Sequence, residues 1–249
     1  MNSDLLNIVN RFESISLKQA DKVKLFNRTD TKFLFNISQL PELLEKVIDK
    51  YNILEIENTR ILEYRTLYYD TPEKLMYLAH HNGRLNRYKI RQREYLISGT
   101  SFLEIKFKSN KNRTIKKRVK LPAFNPVLDQ ATANFIADNS CFSCGALVPA
   151  ISNRFSRISF AHKSKSERLT IDFELSFEDN NGNQVKLDNI VVAEVKQEGY
   201  SLKADMIQAL RSMHIRESGM SKYCIGTALL DSSVKRNTFK EKLMLINKI

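Results

Sequence analysis

The chain has 249 residues and a formal net charge of +12, with 42% hydrophobic and 27% charged residues. This composition suffices for one domain with a substantial core, and the excess of basic residues indicates an anionic partner such as nucleic acid, a phosphorylated metabolite or a membrane surface. No apolar run approaches a membrane span, no signal-peptide pattern is present and the cysteine number is odd, so the sequence predicts a soluble cytoplasmic protein.

Hydrophobic periodicity predicts an alternation of helices and strands, because apolar residues three and four apart indicate helices and strict alternation indicates strands. In chain order the predicted elements are helix 4–20, strand 31–36, helix 38–51, strands 52–57 and 60–69, helix 72–82, strands 85–96, 102–108 and 113–121, helix 126–138, strands 150–161, 168–177 and 190–196, and helices 203–214 and 221–230. The sequence leaves open whether residues 234–249 form a tail or a terminal helix.

Several predicted strands have one apolar face and one charged face. The strand over 102–108 is the clearest case, since Leu103 and Ile105 alternate with Glu104 and Lys106. Similar patterns, with charged residues concentrated on one face, occur over 87–93, 168–177 and 191–196. If these strands share a curved sheet, their charged faces form one surface that can bind a polyanion and a metal.

Two E-x-K pairs place a carboxylate among these basic residues, Glu104 with Lys106 and Glu194 with Lys196. Each pair is either a cross-strand ion pair or part of a metal site. Where phosphate binds, such a carboxylate can hold Mg²⁺ or Mn²⁺, which bridges phosphate oxygens. Hard oxygen ligands and the scarcity of histidine favour these ions over zinc.

Ten short motifs follow one another along the chain, and together they resemble a known family. They are Arg28–Phe33, Tyr68–Thr71, Gly83–Leu85, Lys89–Tyr95, Leu103–Lys106, Lys116–Val119, Asn153–Arg154, Arg168–Asp172, Glu194–Lys196 and Ser221–Tyr223. In this order they resemble the VTC domain, the polyphosphate polymerase domain of the vacuolar transporter chaperone complex and its bacterial relatives. That domain belongs to the triphosphate tunnel metalloenzyme group.

The resemblance implies an α+β fold in which an antiparallel β-barrel with flanking helices encloses a triphosphate tunnel. Residues 1–26 would form a helix packed on the barrel, 27–230 the tunnel domain and 231–249 the tail or helix. The implied catalytic residues are Lys32, Arg91, Arg93, Lys106, Arg154, Arg168 and Lys222, the further phosphate ligands are Arg84, Lys116 and Lys196, and the ligand of Mn²⁺ or Mg²⁺ is Glu194. Arg154 is preferred to Arg157, and Lys116 to Lys117. Because Lys116 and Lys117 are adjacent, an error of one residue in this choice would place the side chain on the opposite face of the strand.

The reaction that the resemblance implies is transfer of the γ-phosphoryl group of ATP to a growing polyphosphate chain, with release of ADP. ATP and polyphosphate are therefore the expected partners. Related triphosphatases carry E-x-E-x-K on the first strand, where this chain has Arg28, Asp30 and Lys32, and the missing carboxylate favours the polymerase branch. An inorganic triphosphatase and a non-catalytic polyphosphate-binding module are the alternatives.

The same residues bear on two other classes of partner, nucleic acid and membrane. Nucleic acid is not expected, because carboxylates share the basic strands and would repel a nucleic-acid backbone. No membrane span is predicted, but eukaryotic members of the family are membrane-attached, so a membrane partner is left open. The oligomeric state does not follow from the sequence.

Overall fold

The structure is a computed structural model that describes residues 3–21, 28–111, 113–199 and 201–249. Its α-helices are α1 (Ser3–Arg11), α2 (Leu17–Ala20), α3 (Leu40–Glu45), α4 (Leu75–His81), α5 (Gln130–Asn139), α6 (Asp205–Ser212), α7 (Lys222–Leu230) and α8 (Lys240–Lys248). Its strands are β1 (Ser14–Ile15), β2 (Arg28–Asn36), β3 (Tyr51–Leu54), β4 (Leu62–Asp70), β5 (Arg87–Tyr95), β6 (Thr100–Lys108), β7 (Thr114–Leu121), β8 (Val148–His162), β9 (Glu167–Asp179), β10 (Gln184–Leu187) and β11 (Ile190–Glu198). The predicted α+β class is confirmed.

The strands form one sheet, and its main path is antiparallel throughout. The order along this path is β2, β11, β9, β8, β4, β5, β6 and β7. Strand β10 pairs with β9, while the parallel pair β1 and β3 joins the sheet through β8. The predicted antiparallel architecture is present, but among the described residues β2 and β7 do not pair with each other, so hydrogen bonds do not close the barrel.

Charges on distant strands act on one another, which indicates that the sheet is strongly curved. Glu194 on β11 acts to raise the pKa of Lys106 on β6, and Lys32 on β2 acts to lower the pKa of Lys89 on β5. Four strands lie between the members of each pair. In a flat sheet they would be roughly 24 Å apart, at about 4.8 Å per strand, and largely screened from each other. The charged faces therefore turn inward toward one another.

Two hydrophobic clusters cover the outer face of the sheet. The first packs α1, α3 and α6 against β2, β8, β9 and β11, around side chains such as Phe33 and Ile171. The second includes α5 and lies over β4, β5 and β6, around Ile90 and Leu103. Because side chains alternate along a strand, burying these apolar residues outward places the charged residues between them on the inner face.

A third cluster lies on the inner face, where α4, α7 and α8 pack at one end. It includes Leu34, Leu175, Val192 and Tyr223. Helix α7 approaches the sheet so closely that a Cβ atom on Gly226 would lie 2.8 Å from Cδ1 of Ile151. Within the described ranges, no helix is both long enough and apolar enough to cross a membrane.

The structure differs from the predicted elements at several points. The predicted helix 4–20 is interrupted, because α1 ends at Arg11 and Ser16 caps the separate helix α2 through a capping box. The predicted helix 38–51 is shorter, with α3 ending at Glu45. Strand β10 was not predicted, since it follows a turn-rich segment and pairs only with β9. Helix α8 resolves the open question of the C-terminal residues.

Parts of the predicted N-terminal segment cannot be compared with the structure. Residues 1, 2 and 22–27 lie outside the described residues, and with them the predicted boundary between the N-terminal segment and the tunnel domain. The described helix α1 packs on the outer face through Leu5, Val9 and Phe12.

Candidate functional site

Strand β5 brings a row of basic side chains to the inner face. Burial lowers the pKa of Lys89 to about 8 and that of Arg93 to about 10. The guanidinium carbon of Arg93 lies 5.5 Å from the ring centre of Tyr64 and 5.6 Å from that of Phe155. Arg91 lies between the two in the same row. Arg93 is therefore held among aromatic rings and away from solvent, while Lys89 and Arg91 are partly buried.

The first of three ion-paired carboxylates on this face belongs to Glu104 of β6. Nη2 of Arg91 lies 2.6 Å from its Oε2, and the ammonium of Lys116 on β7 pairs with its Oε1. Burial acts to raise the pKa of Glu104, but Arg91, Arg93 and Lys116 outweigh it and hold that pKa well below its usual range. The carboxylate is ionised and is shared by two cations.

The second carboxylate belongs to Asp172 of β9. Arg157 of β8 binds it through both Nε, at 2.5 Å, and Nη2, at 2.8 Å, and Lys222 at the start of α7 pairs with the same group. Burial opposes ionisation, but Arg157 and Lys222 hold the pKa of Asp172 below its usual range. The ammonium of Lys222 lies 4.5 Å from the ring centre of Phe155, and burial lowers its pKa to about 8.

The third carboxylate belongs to Glu194 of β11. Lys32, its register partner on β2, pairs with Oε1, and Nζ of Lys196 lies 3.1 Å from Oε2. Burial acts to raise the pKa of Glu194, but Lys196 and Lys32 hold it well below its usual value. The Glu194 side chain is 20% exposed, whereas that of Glu104 is fully buried. Glu194 is therefore the more accessible of these two carboxylates.

Three basic groups of the inner face form no ion pair among the described residues. They are Arg93, which is buried, and Lys89 and Lys106, which are partly buried. Nζ of Lys89 donates a hydrogen bond of 2.9 Å to Oγ of Ser221. Arg91, burial and Arg93 together hold the pKa of Lys106 well below its usual value. Buried positive charge without a counter-charge is unfavourable, so this face is suited to bind an anion.

Most predicted site residues are brought together by the fold. Those on the inner face within the charged cluster are Lys32, Arg91, Arg93, Lys106, Lys116, Glu194, Lys196 and Lys222. Arg168 also points inward, but at the rim, where its Nη2 lies 3.4 Å from Oδ1 of Asp21. Arg84 lies outside the cluster, because it is exposed in the turn that follows α4.

The predicted preference for Arg154 over Arg157 as the inward-facing arginine of β8 is wrong. Arg154 is exposed and stands opposite Arg65, whose guanidinium lies 4.0 Å from the outer-face ring of Phe124. The alternation of side chains along β8 predicts the correct face for both arginines. Arg154 has the same parity as the outward-packed Ile158, whereas Arg157 has the opposite parity and points inward.

Two further inner-face residues, Asp172 and Lys89, were absent from the predicted site. Alternation along the strands places both on the charged face, Asp172 between outward-packed apolar neighbours and Lys89 in the same row as Arg91, but the site residues implied by the resemblance did not include them. The structure also shows which of Lys116 and Lys117 faces inward. Lys116 contacts Glu104, whereas Lys117 is exposed and stands opposite Ile105 of the outer face.

One of the three carboxylates fits a divalent cation. Among the residues that the structure describes, no group of three or more histidine, cysteine, aspartate or glutamate side chains could hold a metal ion. Mg²⁺ and Mn²⁺ commonly take one or two carboxylates and complete their shell with water and substrate phosphates. Glu194, ionised and accessible, fits an ion that is shared with a bound phosphate group.

The solved structures that this chain resembles are distant in sequence. A candidate adenylate cyclase from Vibrio parahaemolyticus is 12% identical and covers 81% of this chain and 99% of its own, with a TM-score of 0.48. A candidate adenylyl cyclase from Hippeastrum, described as having a dominant triphosphatase activity, is 14% identical and covers 80% and 94%, with a TM-score of 0.49. Among curated proteins, no match was found.

The comparison with protein families gives a direct match. The model of the VTC domain matches residues 27–231, which include strands β2 to β11 and helices α3 to α7. The matched segment carries the three ion-paired carboxylates and the buried basic row. The chain belongs to the VTC domain family.

Proposed function

We propose that the protein is an ATP-dependent polyphosphate polymerase, which adds the γ-phosphoryl group of ATP to a polyphosphate chain on the inner face. Membership of the VTC family supports this class of substrate. The observation that carries the proposal is that Arg93, which is buried, and Lys89 and Lys106, which are partly buried, have no ion-pair partner among the described residues. A chain of phosphates can neutralise several such groups at once.

The chemistry requires alignment and charge neutralisation. A terminal oxygen of the chain attacks the γ-phosphorus, and the bond from that phosphorus to the β–γ bridging oxygen breaks, so that the electron pair leaves with ADP. Arg91 and Arg93 present guanidinium forks to phosphate oxygens, and Lys106 adds a point charge beside them. Glu104 fixes the orientation of Arg91 through their ion pair.

A divalent ion would contribute at Glu194. When bound, it would neutralise charge on phosphate oxygens during transfer. Lys32 and Lys196 hold the Glu194 carboxylate in its ionised form and so keep it available as a ligand.

The ion pairs of the carboxylates favour transfer of the phosphoryl group to a chain over its hydrolysis. Glu104 and Asp172 are each engaged by two cations, which makes them weak bases for activating a water molecule. On β2, the position that holds a carboxylate in related triphosphatases is Arg28. Both observations favour a phosphate oxygen, which needs no deprotonation, as the nucleophile.

The test is product analysis by ³¹P NMR after incubation of the protein with ATP and Mn²⁺. The proposal predicts ADP together with the resonance of mid-chain phosphates. Orthophosphate in place of polymer would instead identify a triphosphatase, and binding of tripolyphosphate without turnover would identify a binding module. Lys106→Met should abolish polymer formation, whereas the matched control Lys117→Met changes the exposed lysine on the adjacent strand and should leave it intact.

A further inference from the structure

A small aromatic and basic group lies at the end of the inner face away from α7. We call it the rim platform, and it consists of Tyr95, Phe102 and Arg118. Lys89, at the other end of β5, contacts the cap of α7 through Ser221. Tyr95 is six residues further along that strand, which corresponds to roughly 20 Å at about 3.4 Å per residue.

Contacts within the rim platform place a guanidinium and two rings together. The guanidinium carbon of Arg118 lies 4.6 Å from the centre of the Phe102 ring. The rings of Tyr95 and Phe102 meet edge to face, with 5.9 Å between their centres. Arg118 is exposed and, among the described residues, has no carboxylate within ion-pair distance. The guanidinium is therefore free to stack on a planar ligand.

Phe102 is an aromatic residue on the charged face that lies outside the inner hydrophobic cluster. It is partly exposed and belongs to none of the three hydrophobic clusters. It stands directly across from Arg93 of the buried basic row, and across from Lys120 on its other side. Packing of the core does not account for this ring, but a ligand held by the neighbouring basic residues would reach it.

We propose that the rim platform stacks the base of a nucleoside triphosphate whose phosphates lie along the basic row. This inference rests on the proposed function, which places the phosphates at Arg91 and Arg93. Because Phe102 is the cross-strand neighbour of Arg93, a base linked through ribose to those phosphates can lie over the ring or the Arg118 guanidinium. Stacking tolerates any base, so the site takes nucleoside triphosphates as a class.

The test compares two ligands by calorimetry, a non-hydrolysable imido analogue of ATP and inorganic tripolyphosphate, which has no base. Phe102→Leu should weaken binding of the ATP analogue by roughly 5- to 100-fold. Its affinity for tripolyphosphate should stay within about twofold, since the substitution changes no charge. Phe102→Tyr keeps the ring and should retain the affinity for the analogue.

The matched control is Phe107→Leu, on the same strand but on the outer face, where Phe107 packs against Tyr88 at 4.6 Å. It should leave the affinity for both ligands unchanged. Equal weakening of both ligands by Phe102→Leu, or no effect on the analogue, overturns the rim platform while leaving the proposed function standing. Failure of the unaltered protein to bind tripolyphosphate overturns both.

Discussion

At the scale of single residues, the repeating unit of the inner face is a carboxylate shared by two cations. Glu104, Asp172 and Glu194 each hold two basic side chains in place. Such a group carries one net positive charge, so it fixes the orientation of the basic side chains without cancelling the attraction for phosphate.

Glu104→Gln tests the structural part of this role. The substitution removes the charge from a fully buried group and leaves Arg91 and Lys116 without their counter-ion. We expect the free energy of unfolding to fall by about 3 kcal/mol, measured by urea denaturation. The control Glu63→Gln changes an exposed residue and should stay within about 0.5 kcal/mol. Equal stability of the two variants would contradict a structural role for Glu104.

Ligand binding should be coupled to proton uptake. The pKa of both Lys89 and Lys222 lies at about 8, mainly because of burial. At pH 8.5 both are therefore largely neutral, and a bound phosphate chain favours their charged form and raises the pKa of each. Binding then takes up protons at pH 8.5, and affinity falls as the pH rises further.

Calorimetric titrations with tripolyphosphate in two buffers of different ionisation enthalpy measure this uptake. Lys222→Arg, which stays protonated, should reduce the number of protons taken up, whereas the exposed control Lys165→Arg should not change it. A binding enthalpy at pH 8.5 that is the same in both buffers would show that the buried lysines are already charged before the ligand binds.

At the scale of elements, alternation along the strands was the most informative sequence signal. It identified the inner and outer faces of β6 and β11 from residues such as Leu103 and Glu194. On β8 the predicted preference for Arg154 did not follow this alternation, and Arg154 lies on the outer face. The break between α1 and α2 was missed because the apolar spacing continues through it, and only the capping box at Ser16 marks the second helix.

The two arginines of β8 provide a matched pair for mutagenesis. Arg157→Gln removes an inward guanidinium that is bound to Asp172, whereas Arg154→Gln removes an exposed one on the opposite face. We expect the first variant to weaken tripolyphosphate binding by at least tenfold, since a charge-assisted hydrogen bond contributes about 1.5–3 kcal/mol. The second should change the affinity less than threefold. The reverse order of effects would show that the inner face is misassigned.

Gly226 in α7 gives a test of how closely this helix packs on the inner face. Alanine normally stabilises a helix interior by about 1 kcal/mol relative to glycine. Here a Cβ atom would lie 2.9 Å from Cε1 of the buried Phe177, so we expect Gly226→Ala to destabilise the protein by about 1–3 kcal/mol. Gly145→Ala, with no atom within 4 Å of the added Cβ, should have little effect in the same denaturation experiment.

At the scale of the whole molecule, the curvature of the sheet makes one site out of residues that are distant in sequence. Lys32 and Lys106 lie on strands near opposite ends of the sheet order, yet both belong to the inner face. The sequence could indicate which residues share a strand face, and the order of the motifs indicated the family. Within the part of the chain that the structure describes, β2 does not pair with β7 and the N-terminal helix is interrupted. Both features depend on tertiary packing, which the pattern of a single strand does not contain.

The most direct test of a phosphate-chain site is a comparison of tripolyphosphate with orthophosphate by calorimetry at one pH and salt concentration. Several buried cations should contact the chain at once, and each contact beyond those made by a single phosphate adds affinity. We therefore expect tripolyphosphate to bind at least roughly 100-fold more tightly than orthophosphate, and Lys106→Met to reduce this difference. Equal affinity for the two anions, or no binding of tripolyphosphate, would contradict the assignment of the inner face as a phosphate-chain site.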